Sequence, residues 1–173
     1  MLDCFEDGLL RPGASDVAER AGVSTRAVFR HFDNMEALIE QAAELQYERV
    51  MGQLPPLTLE GSREKRVESL VARVTRGFEL TTPVRRAAML REPFSKTIQE
   101  RYAWMRSEIR RSLRRAFDEE LAALSEPDRR DRIAALRALL SFATWQELRR
   151  HERLSVAAAT RTLTATVHRL LDA

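Results

Sequence analysis

The sequence has little of what covalent cross-links and membrane spans require. It contains one cysteine, Cys4, so an intrachain disulfide is excluded, and a lone cysteine suits a reducing compartment. No apolar run approaches the ~18 residues that a membrane-spanning helix needs. The N-terminus lacks the basic segment followed by an apolar run that marks a secretory signal. We therefore expect a cytoplasmic protein with no membrane partner.

Clusters of residues that carry chemistry are also missing from the sequence. The three histidines, His31, His151 and His168, lie far apart, and "HERLS" has Ser155 where a zinc-protease motif requires a second histidine. There is no Cys/His group with the spacing of metal ligands and no glycine-rich phosphate loop. We therefore predict that the protein is not an enzyme and has no metal or other cofactor.

Glycine and proline are scarce, with six of each in 173 residues, and strand-like alternation is rare. Ala, Leu, Arg and Glu dominate, and all four favour helices, so the sequence predicts an all-α protein. The clearest interruption is "GQLPPLTLEGS", which starts at Gly52 and whose two consecutive prolines cannot continue a helix interior. We place a domain boundary there, with one domain over residues 1–53 and a second over residues 54–173.

Apolar residues at spacings of three and four, preceded by capping residues, predict where the helices lie. In the first domain we expect a short helix from Leu2, followed by helices capped by Ser15, by Ser24, and by Asp33 or Asn34. In the second domain the predicted helices cover residues 60–80, 83–92, 95–124, 125–150 and 156–171. The third of these is expected to be the longest, and its outer face "RSEIRRSLRRAF" suits solvent better than a nucleic-acid strip.

Positive charge is unevenly distributed along the chain. The first 53 residues contain five arginines, no lysine and ten acids, a net charge of −5, whereas the remainder carries a net charge of +8. The high isoelectric point of about 9.6 therefore does not in itself indicate nucleic-acid binding by the N-terminal part.

The stretch "SDVAERAGVSTRAVFRHFDNMEALIEQA", residues 15–42, has the pattern of a helix, a glycine turn and a second helix. Gly22 favours the left-handed conformation that ends a helix, and Val23 is expected to point back into the core. The motif "A-x-x-A-G-V-S" at residues 18–24, followed by His31, Phe32 and an "E-x-L" helix start, resembles the tetracycline-repressor (TetR) family of transcriptional regulators. The tail "ATWQELRRHERLSVAAATRTLTATVHRLL" is also similar to the last two helices of that family.

The resemblance implies an all-helical homodimer, in which each subunit has a three-helix DNA-binding head and a larger helical body for ligand binding and dimerisation. The helix after Ser24 would enter the major groove of double-stranded operator DNA. Arg26 would bond a guanine, Arg30 a base or a phosphate, and Ser15 and His31 phosphates. The full set of DNA-binding residues that the resemblance implies is Ser15, Ser24, Thr25, Arg26, Ala27, Phe29, Arg30 and His31.

The head departs from the family pattern at three points. Phe29 stands where a tyrosine is usual and Met35 where a lysine is usual, and each change removes a phosphate partner. The first helix is also truncated at its start, which indicates either a longer natural chain or a weakened head. A second function therefore stays open: a helical dimer that binds a small molecule or a protein and has lost DNA binding.

The body is expected to bind an unknown small-molecule effector that releases the protein, a repressor, from its operator. Pocket candidates are aromatic and methionine side chains, each of which also suits an ordinary core: Phe78, Met89, Phe94, Tyr102, Met105 and Trp145. Two helices from each subunit would form a four-helix dimer interface. Its candidate residues are Leu148, Val156, Ala159, Thr160, Leu163 and Val167.

Overall fold

Ten α-helices make up most of the computed structural model, which describes residues 1–172. Helical residues account for 79% of the chain and no strand occurs within that range, which confirms the all-α prediction. No helix among residues 1–172 combines the length and the apolar character that a bilayer crossing requires. The helices are α1 Leu2–Glu6, α2 Ala14–Ala21, α3 Thr25–His31, α4 Met35–Met51, α5 Arg63–Arg91, α6 Lys96–Ala116, α7 Asp118–Ala122, α8 Glu126–Leu139, α9 Phe142–Gln146 and α10 Val156–Asp172.

The helices belong to two compact units. The N-terminal unit combines Met1–Gln53 with Leu80–Trp104, and the C-terminal unit combines Leu54–Glu79 with residues 105–172. The sequence indicated one boundary, after residue 53, and the assignment of a DNA-binding and a regulatory role to its two sides stays a prediction.

Residues 80–104 join the N-terminal unit through an apolar cluster. Ala87 of α5 is fully buried and packs with Leu2 and Phe5 of α1 and with Ala42 of α4. These partners lie more than 40 positions away in the sequence, so no local pattern marks the contact. Burial of this apolar surface is what draws the second half of α5 to the N-terminal helices.

Helix α5 runs unbroken over Arg63–Arg91, so the predicted helix end at residue 80 and new start at Pro83 are wrong. Proline removes one backbone hydrogen bond and crowds the preceding turn. Here Phe78 before the proline and Ala87 after it are both buried. Packing on both sides of Pro83 outweighs that cost and keeps the helix continuous.

The predicted long helix over residues 95–124 is divided into α6 and α7 at Phe117, whose φ is −129°. Phe117 is fully buried. Arg66 of α5 donates through Nη1 to the carbonyl oxygen of Ala116 at 2.5 Å, and through Nη2 to the carboxylate of Glu120 at 2.7 Å. The guanidinium thus satisfies a carbonyl that the end of α6 leaves without a helical partner.

The predicted helix over residues 125–150 is likewise interrupted. Helix α8 ends at Leu139, and α9 starts after Ser141, whose Oγ accepts a hydrogen bond from the amide of Thr144 at 3.2 Å. A serine hydroxyl competes with the helical backbone for such amides and favours a new helix start. Ser125 and Ser155 also cap helices, with amide-to-Oγ distances of 3.3 and 3.1 Å.

The C-terminal unit has a core that includes aromatic side chains of α5 and α9. The ring of Phe78 packs edge-on against Phe142, with 5.7 Å between centroids, and lies 6.2 Å from the ring of Trp145. The fully buried aliphatic and aromatic side chains around them include Leu70, Leu113, Phe117, Leu136, Leu140 and Leu163.

Tyr102 gives the N-terminal unit an alkaline sensitivity. Its ring lies 4.7 Å from the guanidinium carbon of Arg85, and burial raises the pKa of Tyr102 from 10.0 to about 12, against the smaller opposing effect of that cation. Between these two values only the unfolded chain releases the phenolic proton, so the free energy of unfolding falls as pH rises. We expect Tyr102 to account for a loss of about 2 kcal/mol between pH 9.5 and 11.5.

Urea denaturation across this pH range, with the wild type and Tyr102→Phe compared, measures the contribution. The variant has no phenolic proton at position 102, so its free energy of unfolding should fall less steeply with pH. Equal slopes for the two proteins would contradict the assignment.

Candidate nucleic-acid interface

Helix α2 starts at Ala14, and the prediction that Ser15 caps it is wrong. The cap residue is Gly13, whose amide donates to the carboxylate of Asp16 at 2.7 Å. A carboxylate closes the first turn more strongly than a hydroxyl, because it is charged and lies at the positive end of the helix. The side chain of Ser15 is exposed in that first turn.

The turn between α2 and α3 depends on Gly22, which adopts φ +66° and ψ 31° in the left-handed region. The amide of Gly22 donates to the carbonyl of Glu19 at 3.1 Å, and the amide of Val23 to that of Ala18 at 3.0 Å. These bonds satisfy carbonyls at the end of α2. Val23 itself is 48% exposed, not buried as predicted, because only its amide turns back toward α2.

Helix α3 is held by one cap and one buried face. Ser24 is the predicted cap, with its Oγ accepting from the amide of Ala27 at 3.1 Å. Val28 is buried and Phe32 packs at the edge of the same cluster. That cluster also contains Cys4, Val17, Ala18 and Leu38.

The remaining side chains of α3 point away from this core. Five are exposed and Ala27 is half-buried. Neither Arg26 nor Arg30 has an ion pair or a side-chain hydrogen bond with any residue in 1–172. Unpaired guanidiniums on an exposed helix can donate to phosphate oxygens or to base edges. The five exposed residues are Thr25, Arg26, Phe29, Arg30 and His31.

Three acidic residues of α4 accept hydrogen bonds from other side chains of the N-terminal unit. Glu36, Glu40 and Glu44 follow one another at intervals of four residues and so form one stripe along the helix. Each accepts a hydrogen bond from a side chain between residues 95 and 101. The donors, in the same order, are Ser95, Thr97 at 2.8 Å and Arg101. These carboxylates therefore join α4 to the start of α6, and the sequence pattern does not indicate this pairing.

Two acids at the end of α1 and just after it also have cationic partners. Asp7 pairs with Arg20 of α2 at 3.0 Å, and Glu6 pairs with Arg49 of α4 at 2.9 Å. Both pairs are half-exposed and contribute little to stability. Each pair offsets one of the ten acids locally but also uses one of the five arginines, so the net charge of the first 53 residues is unchanged.

The six residues predicted to line an effector pocket are divided between the two units. Phe78, Trp145 and the half-buried Met105 belong to the C-terminal unit, where the first two pack in the core. The N-terminal unit contains the buried Tyr102, the half-exposed Met89, and Phe94, which is 90% exposed. A pocket built from these six side chains stays a prediction.

The predicted dimer interface coincides in part with the core of the subunit itself. Ala159, Leu163 and Val167 of α10 are 0%, 1% and 0% exposed, so a second copy can reach α10 only through its other faces. The three remaining candidates are partly exposed: Leu148, Val156 and Thr160.

Comparison with known proteins agrees with this geometry. Residues 5–42 match the family model of bacterial regulatory proteins of the tetR family, a range that includes α2, the turn and α3. No curated protein matches the chain. The crystal structure of a transcriptional regulator from Rhodococcus sp. Rha1 is similar in fold, with a TM-score of 0.71 at 19% identity over 98% of this chain and 90% of that chain. Residues 5–42 are therefore similar to the tetR family of bacterial regulatory proteins, and the solved regulator shows the same fold over nearly the whole chain.

Proposed function

We propose that the protein is a dimeric transcriptional repressor that binds operator DNA through α3 and is released by a small molecule. The observation that carries the proposal is the exposed face of α3. There Arg26 and Arg30 have no partner among residues 1–172, while Glu6, Asp7 and acids of α4 have side-chain partners. The tetR family match of residues 5–42 supports DNA binding and regulation, and the repressor role, the dimer and the effector belong to the proposal.

Base recognition is assigned to the first turn of α3. A helix fits the major groove of B-DNA, and its N-terminal side chains meet the base edges. Arg26 can donate two hydrogen bonds to O6 and N7 of a guanine. Thr25 can bond a base or contact a thymine methyl group, and the small side chain of Ala27 permits a close approach.

Phosphate contacts are assigned to the flanking positions, Arg30, His31 and Ser15. Phe29 is half-exposed beside them and lacks a hydroxyl that could bind a phosphate. Because each cationic contact releases counterions from DNA, a head with few cations should bind with a shallow salt dependence.

A salt titration tests this assignment. We expect a duplex from the region upstream of the gene to bind with an affinity whose logarithm falls against the logarithm of salt concentration by roughly 0.9 per phosphate neutralised. With Arg30 as the arginine assigned to phosphate, the slope should be about −1 per head. Arg30→Ala should weaken binding to all sequences alike and reduce the magnitude of the slope by about 1 per head. Fluorescence anisotropy of the labelled duplex gives both quantities.

Arg114→Ala is the matched control, because Arg114 is exposed on the basic outer face of α6 in the C-terminal unit. It should leave affinity and slope unchanged. If only Arg114→Ala loses DNA affinity, the DNA contact is made by α6 and not by α3. No binding at low salt would instead favour the second function, a helical dimer without DNA binding.

Regulation requires two heads and one effector. In a two-fold dimer the heads would read successive major grooves, about 34 Å apart. An effector that binds preferentially to a form with another head spacing would release the DNA. Family resemblance supports this part of the proposal, and the partly exposed Leu148, Val156 and Thr160 are candidates for the contact between subunits.

A further inference from the structure

An open cleft of about 320 Å³ lies in the N-terminal unit, away from the residues of α3. Its walls come from the loop before α2, the first turns of α4, and the end of α5 with the turn that follows. Ile39 and Ser95 form its buried base, and Leu90 and Phe94 stand at its apolar edge. The volume is at the lower end of the range for small-molecule sites.

Two arginines line this cleft. Arg91 donates through Nη2 to the carbonyl oxygen of Pro12 at 3.2 Å, and Arg11, the residue before Pro12, lines the same cleft. Arg11 is exposed, and within residues 1–172 its side chain has no ion pair. Two cationic groups that line one small cleft, one of them without a partner, favour an anionic occupant.

The carboxylate in the cleft does not cancel these cations. Glu36 lines the same space, but it accepts the hydroxyl hydrogen bond of Ser95. One of its oxygens therefore has a donor before any ligand enters, and the cleft keeps an excess of one positive charge.

The edge of the cleft offers an apolar surface next to the cations. Phe94 is 90% exposed and Leu90 is 40% exposed, and both line the cleft with Ile39. Contact with a ligand would remove this apolar surface from water. An exposed aromatic ring beside two guanidiniums fits a ligand that has an apolar body and an anionic end.

We propose that this cleft binds a small amphipathic organic anion, with its carboxylate between Arg11 and Arg91 and its apolar body against Leu90, Phe94 and Ile39. The site is separate from the DNA-reading face of α3, and it shares only Phe94 with the predicted effector residues. It goes beyond the proposed function, since ligand binding here does not require DNA.

Calorimetric titration of the full chain with 2-naphthoate tests the site. We expect binding of one molecule per chain, with 2-naphthylmethanol and 2-naphthylmethylamine binding on the order of tenfold more weakly, because they lack the carboxylate. Arg11→Gln and Phe94→Ser should each weaken naphthoate binding by about tenfold. Both side chains are exposed, so folding is expected to survive, and thermal unfolding monitored by circular dichroism verifies this.

Two matched controls separate the site from general effects of charge and apolar surface. Arg106→Gln removes an exposed arginine of the C-terminal unit, and Leu45→Ser removes a half-exposed leucine of the N-terminal unit. Both should bind naphthoate like the wild type. The proposal is overturned if naphthoate does not bind at about 5 mM, if acid and alcohol bind equally, or if the site variants behave like the controls. Because the titration contains no DNA, its failure and a failure of DNA binding are distinguishable.

Discussion

Replacing Trp145 with alanine is expected to lower the free energy of unfolding by about 3–5 kcal/mol. Trp145 is 2% exposed and packs in the core of the C-terminal unit, with Phe78 on one side and the guanidinium of Arg149 5.8 Å from its ring centroid. Truncation removes the buried ring and leaves a cavity that the surrounding side chains only partly fill. The sequence permits Trp145 either as a core residue or as a pocket residue, and a loss of this size assigns it to the core.

Trp104, the other tryptophan of the chain, is the matched control. It is 39% exposed and packs edge-on against Tyr47, with 5.1 Å between ring centroids. Trp104→Ala should cost about 2 kcal/mol, because the ring is only partly removed from water and its loss leaves no enclosed cavity. Urea denaturation followed by circular dichroism compares both variants without relying on tryptophan fluorescence. If Trp145→Ala lowers the free energy of unfolding by less than Trp104→Ala does, the core assignment is contradicted.

Arg26→Ala is expected to weaken specific DNA binding by about 1–3 kcal/mol and to relax base preference at one position of each half-site. Arg26 lies in the first turn of α3, is exposed, and has no side-chain partner among residues 1–172. It therefore breaks no interaction within the protein when it binds a guanine. Competition binding with every single-base variant of the duplex measures affinity and preference together.

Arg26→Lys separates the two kinds of DNA contact. Lysine keeps the charge but cannot form the planar pair of hydrogen bonds that arginine makes with guanine. If Arg26 reads a base, the lysine variant should lose preference at the same position and keep the salt dependence. A uniform loss across all duplexes in both variants would show that Arg26 contacts only phosphate.

The helix-turn-helix could be predicted from the sequence because its determinants are local. Gly22 supplies the left-handed turn, and the hydroxyl of Ser24 reaches an amide three residues on. Val28 faces the core at helical spacing. Even here the predicted cap of α2, Ser15, is wrong. The sequence pattern suits Ser15 as a cap, but the carboxylate of Asp16 accepts from the Gly13 amide within the first turn.

The features that the sequence did not predict depend on residues far apart in the chain. Helix α5 continues through Pro83 because packing on both sides outweighs a local cost. The end of α6 is satisfied by Arg66, 50 residues earlier. The partners of Glu40 and Glu44 are 57 residues away. A pattern of apolar spacing contains no information on such pairings.

The stripe on α10 shows a different limit. Small apolar residues at helical spacing mark a face that is buried, but they do not say by which chain. Ala159, Leu163 and Val167 lie in the core of their own subunit, and the same spacing would equally suit a helix packed against a second copy.

Methylation interference at guanine N7 tests the central claim, that α3 reads bases in the major groove through Arg26, most directly. A methyl group on N7 blocks the acceptor that the guanidinium uses. For the wild type we predict one guanine in each half-site whose methylation abolishes binding, and for Arg26→Ala we predict that methylation of that guanine no longer matters. Interference at the same guanine in both proteins, or at none in the wild type, would contradict the claim.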